Sequence, residues 1–335
     1  MRLHTVYTEI TNRCNLNCST CYNRSGKNDC TVEISIKQIK QIMQICSRYG
    51  AKRFLFSGGE PLLHSHFFDL LKLIRDNPQF DYGFVTNGTL HDAEWVNFLN
   101  SQENVTIQIS LDGASEETNR LTRGPYHFNE VLSFVGKLHL PRQKPLLKMV
   151  VSQHNIGDVE AFYRLAVSLK CMPEFAFIYK SGNGTDNWEN KALSAQQKLS
   201  VLRLVRELNK EYNLEAYLPK CTVGCPYTKD AEHMSICIKT NGDIQPCQVL
   251  YSEKFSIGNI FDFQEDKVLA RVNDLLILAQ KRLSENYGCE KCILNKGCGR
   301  GCLAEAVNNF GDPLAEDGNC LFRKLQFLDM YVTNK

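Results

Sequence analysis

Three cysteines lie close together near the start of the chain. Residues 11–22 read TNRCNLNCSTCY, so Cys14, Cys18 and Cys21 have the spacing CX3CX2C. Three thiolates on one short loop can bind three corners of a four-iron cluster and leave the fourth iron free for another ligand. The alternative is a structural zinc site. Structural zinc is usually bound by four protein ligands, and only Cys30 lies near enough in sequence to be the fourth. The spacing therefore favours an iron–sulfur cluster with one open position.

Strand-like and helix-like segments alternate around and after this loop. The strands read as short and apolar on both faces, which is typical of parallel strands covered by helices. The pattern predicts an α/β fold, a partial (β/α)6 TIM-like barrel that is open at one side. The predicted strands are Val6–Ile10, Arg53–Phe56, Tyr82–Val85, Val105–Ile109, Leu147–Val151 and Phe175–Tyr179. The predicted helices are Ile36–Arg48, Phe67–Arg75, Ala93–Leu99, Asn129–Leu138, Val159–Leu169 and Ser194–Tyr212.

The pattern changes near Asn213, where cysteines become frequent and helix becomes rarer. We place a domain boundary there, with residues 1–213 as the barrel and residues 214–335 as a small cysteine-rich domain. Asn241-Gly242 is a strong signal for a two-residue hairpin turn. The elements predicted in this domain are the two strands of that hairpin, Met234–Lys239 and Asp243–Gln245, and the helices Val268–Leu283 and Phe322–Tyr331.

The composition limits the classes of function. The chain has 335 residues, 39 basic and 37 acidic, for a net charge of +2, which gives no electrostatic footprint for nucleic acid. It has no apolar run long enough to span a membrane and no apolar segment of a secretion signal at its start. Its 15 cysteines without such a signal favour metal or redox chemistry over disulfides. We therefore expect a cytoplasmic, oxygen-poor setting.

Three short motifs follow the second, third and fourth predicted strands. They are Ser57-Gly58-Gly59-Glu60-Pro61, Thr86-Asn87-Gly88 and Ser110-Leu111-Asp112-Gly113. Glycines let a ligand approach the backbone, and a carboxylate can pair with an ammonium group. In this order after CX3CX2C, the motifs resemble those of the radical S-adenosylmethionine (radical SAM) superfamily, and the resemblance covers Val6 to about Tyr179.

The resemblance implies how SAM is held. It implies that the open iron binds the amine and carboxylate of SAM, and that Glu60 and the backbone of Gly58 and Gly59 hold the amine. Tyr22 would lie beside the adenine. Arg123 is either a contact of the SAM carboxylate or a solvated surface arginine. Contacts with the ribose and methionine parts are implied for Ser110, Asp112, Thr86 and Asn87.

The cysteines of the last third resemble the SPASM domain, which holds two auxiliary four-iron clusters, so that the implied cofactors are SAM and three 4Fe–4S clusters. The spacing alone, CX2CX5CX3C from Cys289, also permits one or two zinc sites. By the resemblance, one auxiliary cluster is bound by Cys221, Cys225, Cys247 and Cys302. The other is bound by Cys289, Cys292, Cys298 and Cys320.

One ligand of the first auxiliary cluster is open. Cys237 lies between Cys225 and Cys247, so the fourth ligand is Cys221 or Cys237. We favour Cys237 as a buried bystander, because it lies in a predicted strand beside the hairpin turn. Cys30, Cys46 and Cys171 are expected to be small core or surface residues.

The resemblance leaves the substrate open. Fully bound auxiliary clusters suit an oxidation, and SPASM proteins mostly modify ribosomal peptides, so the first hypothesis is an oxidative peptide maturase that installs a side-chain crosslink or related change. The second is an oxidoreductase or lyase for a sugar, nucleoside or tetrapyrrole. The third is a non-catalytic iron–sulfur or zinc module, which the intact SAM motifs disfavour. Sulfatase-maturing relatives carry an acidic residue where this chain has Gln248 after Cys247, which argues against that activity.

The expected partners follow from the same resemblance. A flavodoxin- or ferredoxin-type protein would supply electrons. The first strand begins almost at Met1, so we expect either a separate leader-binding protein or a small substrate. The sequence identifies no acid or base on the substrate side, since Tyr7, Glu9 and His154 are expected to have core or surface roles.

Overall fold

The computed structural model describes residues 1–27, 30–216, 234–250, 252–284, 289, 291–294, 298 and 300–333. Its centre is a nine-stranded sheet with the order β6-β5-β4-β3-β2-β1-β7-β8-β9. The strands are β1 Leu3–Thr11, β2 Arg53–Gly58, β3 Asp81–Thr86, β4 Val105–Ser110, β5 Leu146–Val151, β6 Met172–Phe177, β7 Met234–Ile238, β8 Asp243–Gln245 and β9 Gly258–Asn259. The helices are α1 Ile36–Arg48, α2 Phe67–Arg75, α3 Ala93–Ser101, α4 Glu116–Arg123, α5 His127–Val135, α6 Val159–Ser168, α7 Ala195–Tyr212, α8 Glu265–Ser284, α9 Leu303–Phe310 and α10 Cys320–Thr333.

The first six strands are parallel and adjacent in chain order. Each connection between them contains helix, which brings the carboxyl ends of all six strands to one edge of the sheet. The cysteine loop and the motifs after β2, β3 and β4 therefore lie at the same edge. The predicted α/β fold with a partial barrel is confirmed.

The hairpin of the cysteine-rich segment continues the same sheet. β7 pairs with β1 in parallel, with Tyr7 opposite Cys237, and β8 and β9 follow it in antiparallel order. The predicted turn at Asn241-Gly242 connects β7 and β8, and Gly242 has φ +85°, a conformation that glycine adopts without strain. The domain boundary after residue 213 stays a prediction, but the hairpin after it is joined to the barrel by main-chain hydrogen bonds.

The outer face of the sheet packs against the helices. Phe54 and Phe56 of β2 point outward and are almost completely buried in the main hydrophobic core. Helix α1 begins at a capping box, in which the Ser35 hydroxyl accepts from the Gln38 amide and the Gln38 side chain accepts from the Ser35 amide. Burial of these aromatic residues fixes which face of β2 is turned inward.

The inner face of the sheet is more polar than expected. Arg53, Gln108, Lys148 and Glu174 line a cavity inside the barrel, so the expectation of strands that are apolar on both faces is wrong for the inner face. The physical reason is that these four residues line an open cavity instead of packing into the hydrophobic core.

Two short helices were absent from the prediction, α4 and α9. Helix α4 has the sequence EETNRLTR, whose buried members are the polar residues Asn119 and Thr122, so it carries no apolar periodicity. Helix α5 begins at His127, two residues before the predicted start. No helix in the described part of the chain is both long and apolar enough to cross a membrane.

Candidate functional site

The loop with the three cysteines is tied to the end of β2 by main-chain hydrogen bonds. The Gly59 amide donates to Thr11 O at 2.8 Å, and the Glu60 amide donates to Arg13 O at 2.7 Å. A Cβ atom at Gly59 would lie 1.9 Å from Arg13 O, so a side chain at this position would force the two segments apart. Glycine at position 59 thus positions the loop that carries Cys14.

The opposite side of the loop is held by residues that the sequence analysis did not single out. The side chain of Asn183 donates to Cys18 O at 2.8 Å, and the main-chain N–H of Asn183 donates to Cys21 O at 2.7 Å. Lys191 is buried and donates to Ser19 O and to Asn183 O, both at 2.9 Å. Asn183 and Lys191 lie more than 160 residues from the loop in sequence, and no local motif marks them.

Glu60 is completely buried beside the cysteine loop. Its carboxylate accepts from Thr86 Oγ1 at 2.8 Å, from the Asn87 amide at 2.7 Å and from the Leu62 amide at 3.3 Å. Burial raises the pKa of Glu60 to about 7, because removal from water disfavours the charged form. Thr86 and Asn87, which were expected at SAM, thus contact Glu60 in this structure.

Asp112 and Arg123 form a buried ion pair on the other side of the loop. Arg123 Nε donates to Asp112 Oδ2 at 2.7 Å, and the other carboxylate oxygen accepts from the Val150 amide at 2.8 Å. Arg123 Nη1 lies 3.9 Å from Cys18 Sγ. The Arg123 side chain is only 11% exposed, so the alternative of a solvated surface arginine is wrong. The guanidinium places a fixed positive charge beside a predicted cluster ligand.

His127, which the sequence motifs did not mark, connects the loop of Asn87, a hydrogen-bond partner of Glu60, to the loop of Asp112. Its Nε2 donates to Asn87 O at 2.8 Å, and its Nδ1 accepts from Asn119 Nδ2 at 3.0 Å. Asn119 Oδ1 in turn accepts from the Asp112 amide at 2.9 Å. Burial, followed by the charge of Arg123, lowers the pKa of His127 to about 4, so this imidazole is neutral at pH 7.

A second buried ion pair lies at the carboxyl end of β1. Lys239 Nζ donates to Glu9 Oε1 at 2.6 Å, and Asn23 donates to the other carboxylate oxygen at 3.1 Å. Burial, followed by the charge of Glu9, raises the pKa of Tyr22 well above its usual value, and the Tyr22 hydroxyl is bonded to Ser57. Tyr22 is therefore a neutral, hydrogen-bonded phenol close to the Ser57–Glu60 motif. Ser110, half-buried, ends β4 at the same edge.

The expected auxiliary ligands are only partly within the described residues. Cys221 and Cys225 lie outside them, whereas Cys247, Cys289, Cys292, Cys298, Cys302 and Cys320 are described and carry no disulfide. The Cys302 amide donates to Asp317 Oδ2 at 2.8 Å, and Asp317 forms a buried double hydrogen bond with Arg323 at 2.6 and 2.8 Å. Asp317 thus joins the segment of Cys302 to helix α10, which begins at Cys320.

Cys237 faces the Glu9–Lys239 pair. It is fully buried in β7, and its Sγ lies 3.9 Å from Glu9 Oε1. Burial and then the charge of Glu9 raise the pKa of its thiol well above the usual value, and Cys247 is near enough to contribute to this shift. The choice between Cys221 and Cys237 as a ligand stays open. Cys46 and Cys171 are buried in the hydrophobic core and Cys30 is exposed.

Among the described residues, no three histidine, cysteine or carboxylate side chains converge as ligands of one metal ion. In a four-iron cluster, each thiolate instead binds a separate iron at a corner of the cube. Cys14 and Cys18 have raised pKa values mainly because they are buried, and the charge of Cys21 contributes to both shifts.

Known proteins resemble this chain in sequence over most of its length. Residues 8–166 match the family described as Radical SAM superfamily. The chain is 26% identical to mycofactocin maturase MftC of Mycolicibacterium smegmatis over 92% of this chain and 83% of that protein. It is 25% identical to the antilisterial bacteriocin subtilosin biosynthesis protein AlbA of Bacillus subtilis over 92% and 69%. It is 25% identical to the AdoMet-dependent heme synthase of Methanosarcina barkeri over 94% and 95%.

Solved structures share the fold across nearly the whole chain. Native anSMEcpe with bound AdoMet and the Cp18Cys peptide superposes with a TM-score of 0.74 at 18% identity, covering 100% of this chain and 99% of that one. Streptococcus suis SuiB bound to S-adenosylmethionine superposes with a TM-score of 0.74 at 17% identity, covering 94% and 76%. The architecture described above, including the segment after the barrel, is therefore the fold of these proteins.

Proposed function

We propose that this chain, a radical SAM protein by its domain at residues 8–166, oxidatively modifies a ribosomally made peptide, for example by joining two side chains. The observation that carries the radical SAM part is the buried Glu60 carboxylate beside the loop of Cys14, Cys18 and Cys21. The peptide part is supported by two relatives that cover most of the chain, one named a maturase and one named for bacteriocin biosynthesis.

The residues of the site fit the cofactors of this family. Cys14, Cys18 and Cys21 would bind the cluster, and the buried Glu60 carboxyl group, whose ionisation burial disfavours, would gain a countercharge from the SAM ammonium. Gly59 fits against Arg13 O only because it has no side chain, which keeps this motif beside the cysteine loop. When bound, SAM and the reduced cluster supply a 5′-deoxyadenosyl radical, which removes a hydrogen atom from the substrate.

The remaining side chains of the site hold these groups in place. Thr86 and Asn87 orient the Glu60 carboxylate, and Arg123 offers a positive charge between Asp112 and Cys18. The burial of these groups excludes water, which strengthens their electrostatic interactions. Roles at the ribose and adenine for Ser110, Asp112 and Tyr22 belong to the same proposal.

The cysteines after the barrel form two auxiliary 4Fe–4S clusters in this proposal. Asp317 supports it, because it fixes the segment of Cys302 against the start of the helix that carries Cys320. Clusters held by these cysteines would supply an acceptor for the one electron that the substrate radical must lose. For a crosslink, one hydrogen leaves as an atom on 5′-deoxyadenosine, one leaves as a proton, one electron goes to an auxiliary cluster, and one bond forms between two side chains. The peptide therefore loses two hydrogens.

The partners and setting complete the proposal. A flavodoxin or ferredoxin reduces the cluster at Cys14, Cys18 and Cys21, and a separate protein binds the leader of the precursor peptide. The protein works in a reducing, cytoplasmic setting, which suits oxygen-sensitive clusters.

The test uses the cluster-loaded protein under anaerobic conditions. With SAM, dithionite and a short precursor peptide encoded beside the gene, we expect 5′-deoxyadenosine and a peptide lighter by two hydrogens. Cys18→Ala is expected to abolish both products, whereas Cys30→Ala, which changes an exposed cysteine, leaves both unchanged. Zinc in place of iron, with no cleavage of SAM, would refute the proposal.

A second candidate is the modification of a small molecule such as a sugar, nucleoside or tetrapyrrole. The likeness to the AdoMet-dependent heme synthase over 94% of this chain favours it. Deuterium-labelled candidate substrates distinguish the two functions, because the label passes into 5′-deoxyadenosine only from the molecule that loses the hydrogen atom. Transfer from a small molecule and none from peptides would favour this candidate.

A further inference from the structure

A polar cavity occupies the inside of the barrel on the amino-terminal side of the SAM motifs. Its volume is about 490 Å3, and its lining includes strands β1, β2, β4, β5 and β6. Lys198 of α7, Glu305 of α9 and Asn319 line the part of the cavity that reaches the last third of the chain. A cavity that lies between the barrel and the cysteine-rich segment is a natural place for a substrate.

Arg53 is the first residue of β2 and points into this cavity, since Phe54 and Phe56 alternate to the outside. Its Nη2 donates to Thr106 Oγ1 at 3.4 Å, across β3. The Arg53 side chain can cross β3 because Gly83 of that strand has no side chain. A Cβ atom at Gly83 would lie 2.7 Å from Thr106 Oγ1. Arg53 Nε is buried without a hydrogen-bond partner among the described residues.

The other charged groups of the cavity are matched. Lys148 is paired with Glu174 at 2.9 Å, and the opposite charges of Lys198 and Glu305 are bridged by Asn319, which bonds to both at 2.6 and 3.0 Å. Within the described residues, Arg53 has one long hydrogen bond and no carboxylate partner. The cavity thus holds one unmatched guanidinium, a group whose planar donors fit a carboxylate.

We propose that Arg53 binds a carboxylate of the substrate inside the barrel. This inference rests on the proposed function and names the part of the peptide that is recognised. Arg53 lies four residues before Ser57 on one strand, so it is roughly 13 Å below the SAM edge at about 3.3 Å per residue. An extended peptide covers a similar length per residue. A C-terminal carboxylate on Arg53 would place the reacting residue about three or four positions from the end, and an Asp or Glu side chain would place it nearer.

The first test measures binding without turnover. The probe is 3-phenylpropionate labelled with 13C at its carboxyl group, titrated against the cluster-loaded protein and observed by 13C NMR, with 3-phenylpropionamide as the uncharged analogue. We expect saturable binding of the acid, an affinity about tenfold lower or worse in Arg53→Gln, and an unchanged affinity in Arg142→Gln, an exposed control. Equal affinities in the wild type and Arg53→Gln would overturn the proposal.

Two milder variants keep the test decisive if Arg53→Gln does not fold. Arg53→Lys keeps the charge but loses the planar pair of donors, and Thr106→Val removes the hydrogen bond from the guanidinium to Thr106. Both are expected to weaken binding of the acid severalfold. Unchanged affinity in both variants would overturn the proposal.

The second test separates the two sources of a carboxylate. Three tetrapeptide pools without Asp compete with the probe: one with a free C-terminus and no Glu, one amidated without Glu, and one amidated with a single Glu. Displacement by the first pool alone assigns the C-terminal carboxylate, and displacement by the third alone assigns a side chain. Equal displacement by the neutral amidated pool would overturn the proposal.

Unchanged peptide modification by Arg53→Gln would overturn this inference and leave the proposed function intact. If binding of the acid depends on Arg53 but no peptide is modified, the inference stands and the proposed function is refuted.

Discussion

Lys239 Nζ lies 2.6 Å from Glu9 Oε1, and both side chains are only 6% exposed. Glu9 belongs to the first strand of the barrel, whereas Lys239 directly follows β7, the strand that begins the hairpin of the cysteine-rich segment. Removal of one charge from such a buried pair lowers the stability of the protein sharply, because the remaining buried charge loses its countercharge. The pair therefore couples the hairpin to the barrel in a way that main-chain pairing alone does not.

We predict that Glu9→Gln and Lys239→Met each lower the free energy of unfolding by about 3 kcal/mol, and that the double variant loses less than the sum. Urea unfolding of all variants in the same cluster-loaded state measures the coupling. The exposed pair of Arg164 and Glu211 is the control and should couple by less than about 1 kcal/mol. Additive losses at Glu9 and Lys239 would contradict the prediction.

Gly59 provides a test of the contact between the cysteine loop and β2. A Cβ atom at this position would lie 1.9 Å from Arg13 O, so Gly59→Ala must displace the segment that carries Cys14. We predict that the variant loses most of its bound SAM and of the characteristic signal of the reduced cluster at this loop, measured by equilibrium dialysis and electron paramagnetic resonance. Gly157→Ala is a matched control, because a Cβ atom there meets nothing within 4 Å. Normal cluster loading in Gly59→Ala would show that the loop adapts.

Much of this site could be predicted from the sequence, because its main residues lie in local motifs. Helices α1 and α2 have the predicted bounds, and Glu60 lies beside the cysteine loop as the motif order implied. His127 and Lys191 could not be predicted in the same way. Each acts on a loop that is distant in sequence, and a buried histidine or lysine has no local signature until the fold brings its partners together.

The inner face of the barrel shows a second limit. The short strands predict burial, but the alternation of Arg53 with Phe54 becomes informative only once the curvature of the sheet is known. The register that pairs β7 with β1, and therefore Lys239 with Glu9, is also a long-range property. Local pattern thus predicted which motifs follow the strand ends, whereas the lining of the inner cavity depends on contacts that only the folded chain brings together.

His127 predicts a dependence of stability on pH. Its pKa is lowered from 6.5 to about 4 by burial, so between these values the unfolded chain binds a proton that the folded chain does not. The stabilisation is present above pH 6.5 and is lost as the pH falls towards 4. From pH 7.5 to 5.5 the wild type should lose roughly 1 kcal/mol more than His127→Gln.

Urea unfolding at both pH values measures this difference. His139→Gln replaces an exposed histidine and serves as the control, with a pH dependence like that of the wild type. Parallel pH profiles for the wild type and His127→Gln would mean that the imidazole does not remain neutral in the folded protein.

Arg123 predicts a link between the affinity for SAM and the potential of the cluster. Its guanidinium bonds to Asp112 and lies 3.9 Å from Cys18 Sγ, and a lysine in its place cannot maintain both contacts. Hydrogen bonds to cluster sulfurs affect the reduction potential, and loss of a nearby positive charge makes reduction harder. We predict that Arg123→Gln has a more negative midpoint potential and binds SAM about tenfold more weakly.

Redox titration followed by electron paramagnetic resonance measures the potential, and equilibrium dialysis measures the affinity. Arg120→Gln, three residues earlier on the same helix and exposed, is the control and should change neither value. An unchanged potential in Arg123→Gln would place the guanidinium outside the electrostatic environment of the cluster.

Asp317 predicts a selective loss of the auxiliary clusters. Its carboxylate accepts from the Cys302 amide and from both ends of the Arg323 guanidinium, so Asp317→Asn removes a buried charge that joins the Cys302 segment to the helix of Cys320. We expect iron to fall from about twelve atoms per chain to about eight or fewer. Cleavage of SAM without substrate should persist, because Cys14, Cys18 and Cys21 lie in the loop after β1 and not in the segment that Asp317 holds.

Iron analysis together with the rate of 5′-deoxyadenosine formation distinguishes this outcome from general unfolding, which would remove both signals. Asp312→Asn is the control, since Asp312 is exposed and, among the described residues, its carboxylate accepts only from the nearby Leu314 amide. A variant that keeps its full iron content but no longer modifies peptide would assign Asp317 to the path of the substrate or the electron. A variant that keeps both properties would leave the ion pair of Asp317 and Arg323 with a purely local role.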